Sequence, residues 1–232
     1  MKSFKLWEIT DSRNKFYNET SQAYEMDSSE IVGWMDGKKN QLKRFDTLLD
    51  IGVKSGDTVL DFGCGVGHMA EHINKLGLKV KYTGIDINKD AISRATKAFM
   101  VSDIMGVRPM KSPTGIVFSH GAVKDINENY DWILASGVFN YKFPKAEMIQ
   151  TVSELLNHAD KGVAFNLLEA GHIVHPDYEF YKKDTITHYF NNSAQIVENY
   201  GVDLDLTVYI RKNESWDHKL NWFHCSIVIC KH

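Results

Sequence analysis

The sequence lacks any apolar run long enough to cross a membrane, and it contains few cysteines. Its N-terminus, Met-Lys-Ser-Phe-Lys-Leu-Trp-Glu, has no apolar core of the kind that a signal peptide needs. The three cysteines, Cys64, Cys225 and Cys230, show no metal-ligand spacing and are an odd set for disulfides. We therefore expect a cytoplasmic protein with reduced thiols and no membrane partner.

The chain also has no excess of basic residues, no internal repeat and no low-complexity tract. Lys and Arg number 27 against 30 Asp and Glu, which gives a formal net charge of −3. Proteins that bind a phosphate backbone usually carry a basic balance, so DNA is not an expected partner. The 232 residues, 43% of them apolar, are enough for one α/β domain with a sizeable core.

The stretch 58–67 combines a short apolar run with three closely spaced glycines. The run Val59–Phe62 is typical of a buried parallel strand, and Gly63, Gly65 and Gly67 follow it directly. A helical pattern begins at the next residue. A strand, a glycine turn and a helix N-terminus together form a site that an adenosine-type ligand can approach closely.

A second strand ends in a carboxylate that fits the same ligand. Lys79–Ile87 reads as a strand, and Asp86 falls 19 residues after Gly67, where a ribose-binding acid is expected. The glycine spacing departs from the dinucleotide pattern, and Asp61 adds an acid before the turn. Asp86 would also repel a 2′-phosphate, which argues against NADP.

Three motifs resemble those of the class I S-adenosylmethionine-dependent methyltransferases. Val59–Gly67 resembles the first motif of this family, Gly84–Ile87 the second, and Tyr130–Ser136 the motif of the fourth strand. They occur in the family's order over residues 57–141. The resemblance implies that S-adenosylmethionine is the cofactor and S-adenosylhomocysteine its product.

Strands alternate with helices until the last two predicted strands, Leu204–Ile210 and Trp222–Cys230, which read as an antiparallel hairpin. A helix is predicted over Thr185–Tyr200. The expected α/β fold is a Rossmann-like doubly wound sheet of seven strands, with helices on both faces and an antiparallel final hairpin. We divide the chain into an N-terminal cover segment, 1–34, and a methyltransferase domain, 35–232.

The resemblance implies a set of cofactor contacts around the glycine turn. Asp61 would attract the cofactor's amino group, Asp86 would accept from the ribose hydroxyls, and Arg44 is a candidate for the cofactor's carboxylate. Where the family often has an Asp for the adenine, this chain has Ala122, so a backbone amide is expected to serve there. The complete expected set is Asp61, Phe62, Gly63, Cys64, Gly65, Gly67, Asp86, Ile87, Ala122, Val123, Ser136 and Arg44.

The acceptor is expected at the carboxyl end of the fourth strand, where the two halves of such a sheet open a crevice. Asn140 and Tyr141 would lie beside the transferred methyl group, and His172 is the candidate for a base. The chain has no Asp/Asn-Pro-Pro-Tyr/Phe motif here, which argues against methylation of amino groups in DNA. These residues form the predicted catalytic set.

The spacing Glu169-x-x-His172-x-x-His175 follows the fifth strand and has several readings. It could form an acid–base cluster over the acceptor, contact the substrate without metal, or lie in a solvated loop. Its spacing is no standard zinc motif, so no metal is expected.

We therefore expect a methyltransferase that acts on an oxygen, nitrogen or carbon nucleophile of a small molecule. A methyltransferase acting on RNA or protein, and a cofactor-binding module without catalysis, remain alternatives.

Overall fold

The computed structural model describes residues 37–104, 115–141, 143–171, 176–190, 193–198 and 200–212, with only the backbone described for 101–104. The predicted cover segment, 1–34, lies outside these residues. Within the described part of the chain, no helix is long and apolar enough to cross a membrane.

Strands and helices alternate through most of the described chain. The helices are α1 (Lys38–Leu49), α2 (His68–Lys75), α3 (Lys89–Ile104), α4 (Lys145–His158) and α5 (Lys183–Tyr189). The strands are β1 (Thr58–Phe62), β2 (Lys81–Asp86), β3 (Ile116–His120), β4 (Tyr130–Ala135), β5 (Ala159–Glu169), β6 (Phe180–Tyr181), β7 (Ala194–Val197) and β8 (Asp205–Arg211). A short 3-10 turn covers Val123–Asp125.

The strands form one sheet in the order β3-β2-β1-β4-β5-β8-β7, with the two-residue strand β6 added beside β5. The first five strands of this path are parallel, whereas β8 runs antiparallel to β5 and β7 antiparallel to β8. Strand order reverses between β1 and β4, so a crevice is expected at their carboxyl ends. The predicted doubly wound fold with an antiparallel final hairpin is confirmed.

Each face of the sheet carries its own apolar core. On one face α4 packs Met148, Val152 and Leu155 against the sheet. On the other face Phe45 and Leu48 of α1 join the apolar side of α2. Because helices cover both faces, the central strands β1 and β4 are buried on both sides, and this is why they read as continuous apolar runs.

The final hairpin uses a different first strand from the one predicted. The predicted helix Thr185–Tyr200 is wrong in its second half, because the helix ends at Tyr189 and Ala194–Val197 pairs with β8 as β7. This segment is too short for helical and strand periodicity to be told apart by pattern alone, and pairing with the edge of β8 decides it. The predicted strand Trp222–Cys230 lies outside the described residues.

A buried ion pair joins α1 to the start of β8. The Arg44 guanidinium donates from Nε to Asp205 Oδ2, and the two side chains are 5% and 0% exposed. Nearby, Asn166 Nδ2 donates to Thr207 Oγ1 at 2.7 Å across the β5–β8 pair. Asn166 Oδ1 and Asp205 Oδ1 are buried without a hydrogen-bond partner among the described residues, so the stability of this cluster depends on the bonds that its other atoms make.

Replacing Arg44 by Met should therefore leave the Asp205 carboxylate buried and uncompensated. We expect a loss of about 3–5 kcal/mol in the free energy of unfolding, measured by urea titration. The control is Lys75→Met, which removes an exposed ion pair with Glu71 on α2 and should cost less than about 1 kcal/mol. Equal losses in the two variants would contradict this account of the pair.

Candidate active site at the carboxyl ends of the parallel strands

The glycine turn after β1 has the left-handed backbone that its sequence predicts. Gly63, Gly65 and Gly67 have φ values of +78°, +54° and +88°. The amides of Gly63 and Cys64 both donate to the carbonyl oxygen of Ile85, at 2.8 and 3.1 Å. Because these hydrogen bonds connect the turn to the end of β2, they hold the backbone before α2 in one conformation.

Gly63 also permits a close approach of the loop that follows β4. A Cβ atom added to Gly63 would collide with Cγ2 of Val138. Any larger residue would therefore push apart the β1 turn and the β4 loop, which are the two walls of the expected crevice.

Asp86 lies at the end of β2 and binds two backbone amides. Its Oδ2 accepts from the Gly65 amide and its Oδ1 from the Asn88 amide, both at 2.8 Å. Burial raises the pKa of Asp86, while these two hydrogen bonds act in the opposite direction. A carboxylate has about four lone-pair positions, so both oxygens can still accept from the two hydroxyls of a ribose.

Asp61 lies below the turn and is only 2% exposed. Tyr82 donates its hydroxyl to Asp61 Oδ2 at 2.5 Å. Burial raises the pKa of Asp61 to about 7, the Tyr82 hydrogen bond lowers it, and the neighbouring Asp86 raises it. Burial, together with the charges of Asp61 and Asp86, also raises the pKa of the Cys64 thiol, so Cys64 is a packed neutral thiol at neutral pH.

Phe62 and Ile87 flank this cluster at the ends of β1 and β2. Phe62 is 8% exposed and packs in the core on the α4 face, so its backbone rather than its ring is placed toward the turn. Ile87 is partly exposed, and its carbonyl accepts a hydrogen bond from His120 Nε2 at 3.1 Å. His120 thereby lies next to Asp86, with which it is in register.

The loop after β3 differs from the expected adenine contact. The Ala122 amide donates to Asp125 Oδ2 at 2.8 Å, so it is already paired in this structure. The Val123 backbone opens the 3-10 turn that follows. Asp125, which the sequence reading missed, presents an exposed carboxylate three residues after Ala122. The signal available was that spacing, at which a side chain can bond back to the start of a turn.

Two buried side-chain oxygens after β4 have no hydrogen-bond partner among the described residues. They are Ser136 Oγ and Asn140 Oδ1, and Asn140 is only 5% exposed. A buried polar atom without a partner typically costs about 1–3 kcal/mol. Native proteins retain few of them, and those that persist call for a functional explanation.

A second segment packs against this loop and brings in an aromatic side chain. Tyr141 and Tyr178 form an isolated antiparallel bridge, with ring centroids 5.6 Å apart at 74°. The Glu179 amide donates to the Asn140 carbonyl at 2.8 Å. The sequence analysis did not single out Tyr178, because its pairing with Tyr141 joins residues 37 positions apart.

Arg44 and the predicted acceptor-site histidine are not tested by these contacts. Arg44 is buried and pairs with Asp205, and its expected role at the cofactor's carboxylate stays a prediction. His172 and His175 lie outside the described residues, and Glu169 pairs with Lys183 at 3.0 Å. Among the described residues, no group of His, Cys, Asp or Glu side chains is placed to hold a metal ion.

Comparison with known proteins assigns this geometry to a family. Residues 53–188, more than half of the chain, match a family model described as a methyltransferase domain. The chain therefore belongs to this methyltransferase family. Its arrangement is that of the class I S-adenosylmethionine-dependent type, and S-adenosylmethionine is the cofactor of that class.

Individual relatives agree with this family. The chain is 31% identical over 104 residues to cycloartenol-C-24-methyltransferase 1 of Oryza sativa subsp. japonica, covering 42% of this chain and 30% of that protein. It is 26% identical over 117 residues to a Mycobacterium tuberculosis protein named as a methyltransferase, covering 48% of this chain and 63% of that protein. The matches thus span less than two thirds of either curated relative.

The fold is similar to a solved structure with the cofactor bound. The magnesium protoporphyrin IX methyltransferase of Synechocystis PCC 6803 with bound S-adenosylmethionine superposes with a TM-score of 0.65. Identity is 14%, and the match covers 92% of this chain and all of that one.

Substituting Gly63 by Ala should disrupt the cofactor site through its collision with Val138. We expect S-adenosylhomocysteine to bind at least about tenfold more weakly, because a misplaced turn loses backbone contacts to the ligand. Titration calorimetry measures this directly.

The matched control for Gly63→Ala is Gly77→Ala. Gly77 has a similar φ of +73°, but a Cβ there meets nothing within 4 Å. Both variants carry the strain of an L-residue in the left-handed region, about 1–2 kcal/mol. Gly77→Ala should keep the affinity of the wild type, and an equal loss of affinity in both variants would show that only general strain was measured.

Proposed function

We propose that the protein transfers the methyl group of S-adenosylmethionine to a small molecule bound over the carboxyl end of β4. The observation that supports this most directly is the pair of buried, unpartnered groups Ser136 Oγ and Asn140 Oδ1. They follow the strand at the reversal of strand order, where a ligand is expected. We assign Ser136 to the cofactor side of the crevice and Asn140 to the acceptor side.

The residues around the turn fit the cofactor that this family uses. Asp86 would hold the ribose hydroxyls, the backbone of Gly63 to Gly67 would lie against the methionine portion, and Asp61 would face its ammonium group. Asp125, with its exposed carboxylate, would accept from the adenine amino group in place of the expected Ala122 amide. When bound, the cofactor supplies a sulfonium methyl that is already activated for displacement.

The protein's own contribution is alignment and exclusion of water. Asn140 would accept a hydrogen bond from the acceptor's reacting N–H or O–H, which would direct a lone pair toward the methyl group. Tyr141 and Tyr178 would form an apolar wall beside it. His172 remains the proposed base for a hydroxyl acceptor, which would need to lose a proton.

A small molecule fits this site better than a nucleic acid does. The net charge is −3, and the edge described here carries the carboxylates of Asp86 and Asp125 near the cofactor. A phosphate backbone would meet repulsion there rather than a basic surface.

Isotope transfer tests the acceptor class. The protein is incubated with methyl-labelled S-adenosylmethionine and with three separate fractions of the source organism: metabolites below about 3 kDa, RNA, and protein. We expect label in the metabolite fraction, because the proposed acceptor contact, Asn140 Oδ1, is a buried atom that a small molecule reaches more readily than a macromolecule does. Label confined to RNA or protein would contradict the proposal.

The variant Asn140→Ala separates function from stability. Because Asn140 Oδ1 is unpartnered, its loss should change the free energy of unfolding by less than about 1 kcal/mol. We expect kcat/KM for the acceptor to fall by about 10–100-fold, while the affinity for S-adenosylhomocysteine stays within about threefold of wild type.

Asn129→Ala is the control for this variant. Asn129 is exposed and bonds Asp160 at the opposite end of the sheet. It should leave both kcat/KM and cofactor affinity unchanged. If Asn140→Ala keeps full activity with the labelled acceptor, the assigned role of Asn140 is wrong.

A further inference from the structure

A tyrosine and an aspartate on neighbouring strands form a buried pair beneath the glycine turn. Tyr82 on β2 is fully buried, and Asp61 on β1 is 2% exposed. The hydroxyl-to-carboxylate distance is 2.5 Å. A neutral phenol beside a buried carboxylate is a strong donor, because the surrounding dielectric is low.

Packing fixes the direction of the tyrosine hydroxyl. The Tyr82 ring meets Phe118 of β3 edge-on, with centroids 5.9 Å apart at 63°. Phe118 in turn packs against Phe99 of α3 at 5.2 Å. The phenol therefore has little freedom to rotate away from Asp61, and its hydrogen bond is preorganised before any ligand binds.

The hydrogen bond from Tyr82 occupies one carboxylate oxygen of Asp61 and leaves the other oxygen available. Tyr82 donates to Oδ2, and Oδ1 has no hydrogen-bond partner in the described part of the chain. One oxygen is thus anchored, and the second can accept from a ligand.

We propose that Tyr82 is a positioning residue that acts on the cofactor through Asp61, holding one carboxylate oxygen so that the other accepts from the cofactor's ammonium group. This inference rests on the proposed contact between Asp61 and that ammonium. Tyr82 is fully buried, so in this proposal it acts on the cofactor only through Asp61, and it lies outside the three motifs at the strand ends.

The proton on Asp61 gives this arrangement a measurable signature. Burial raises the pKa of Asp61 to about 7, and the Tyr82 hydrogen bond opposes that shift. In the free protein Asp61 is therefore largely protonated below pH 7. An ammonium group favours the charged carboxylate, so binding below pH 7 must expel one proton from Asp61 to solvent.

Other charged groups around the pair are accounted for by their own contacts. Several titratable side chains on the neighbouring elements are buried or partly buried. They are Lys43 and Arg44 on α1, Cys64 in the turn, His68, Glu71 and His72 on α2, Asp86 at the end of β2, Arg94 on α3, and Asp131 at the amino end of β4. Burial is the main cause of the raised pKa of Asp61, and of these charged groups Asp86 raises it further.

The test is titration calorimetry with S-adenosylhomocysteine between pH 5.5 and 8.5, in two buffers of different ionisation enthalpy. For the wild type, affinity should rise with pH up to about 7 and then level off, with up to one proton released at pH 6. In Tyr82→Phe the pKa of Asp61 should rise further. Affinity at pH 7 should then fall about tenfold for each pH unit of that rise, and it should recover to within about threefold of wild type at pH 8.5.

Two further variants make every outcome decisive. Asp61→Asn should bind weakly with no pH dependence and no proton release; wild-type binding by this variant would mean that the proposed Asp61 contact itself is wrong. Tyr209→Phe removes another buried hydroxyl, which donates to the Thr47 carbonyl, and should keep the wild-type pH profile.

A purely structural role of Tyr82 predicts a different result. Tyr82→Phe would then weaken binding by the same factor at every pH, or would behave like Tyr209→Phe. Either result, with Asp61→Asn still impaired, overturns the positioning role while leaving the cofactor site intact.

Discussion

The carboxylate of Asp86, bound to the amides of Gly65 and Asn88, is the constraint on which the site depends. It joins the turn after β1 to the turn after β2, and each bond is 2.8 Å long. Because the turn glycines have left-handed backbones with little intrinsic preference, they need such an anchor to keep one conformation. The same carboxylate raises the pKa of Asp61, so the electrostatics of the cluster also depend on it.

The site carries features that cost stability and that a purely structural protein would lose. Asp61 is buried with a raised pKa, and Ser136 and Asn140 have buried polar atoms without partners. Each would be more stable as a packed apolar residue. All three lie at the carboxyl ends of β1 and β4, on either side of the reversal in strand order. Asn166 Oδ1 on β5 and Asp205 Oδ1 on β8 are further buried oxygens without a hydrogen-bond partner among the described residues. The three groups at the ends of β1 and β4, however, share the place where a preorganised ligand site is expected.

Much of the fold and of the cofactor site could be predicted from the sequence, because the features that determine them are local. The glycine turn, Asp86 and the apolar strands each depend on residues within a few positions, and the family model and the fold agree with the predicted methyltransferase class. The N-terminal cover segment and His172 stay predictions, since they lie outside the described residues.

The features that could not be predicted depend on contacts between distant segments. Arg44 looked free for the cofactor because its partner, Asp205, is 161 residues away. The strand Ala194–Val197 exists because β8 offers it an edge, and Tyr178 joins the site through its bridge to Tyr141. Tyr82 read as an ordinary apolar strand residue, since nothing in its own segment reveals the carboxylate that its hydroxyl meets.

The most direct test of the account is the affinity for S-adenosylhomocysteine of Asp86→Asn compared with Asp131→Asn. Both aspartates accept a backbone amide at a strand end, Asp131 from Thr58 at 2.8 Å. Asp131, however, lies at the amino end of β4, away from the glycine turn. The account predicts that Asp86→Asn weakens binding by roughly tenfold or more while Asp131→Asn binds like the wild type. Unchanged binding by Asp86→Asn, or an equal loss in both variants, would contradict it.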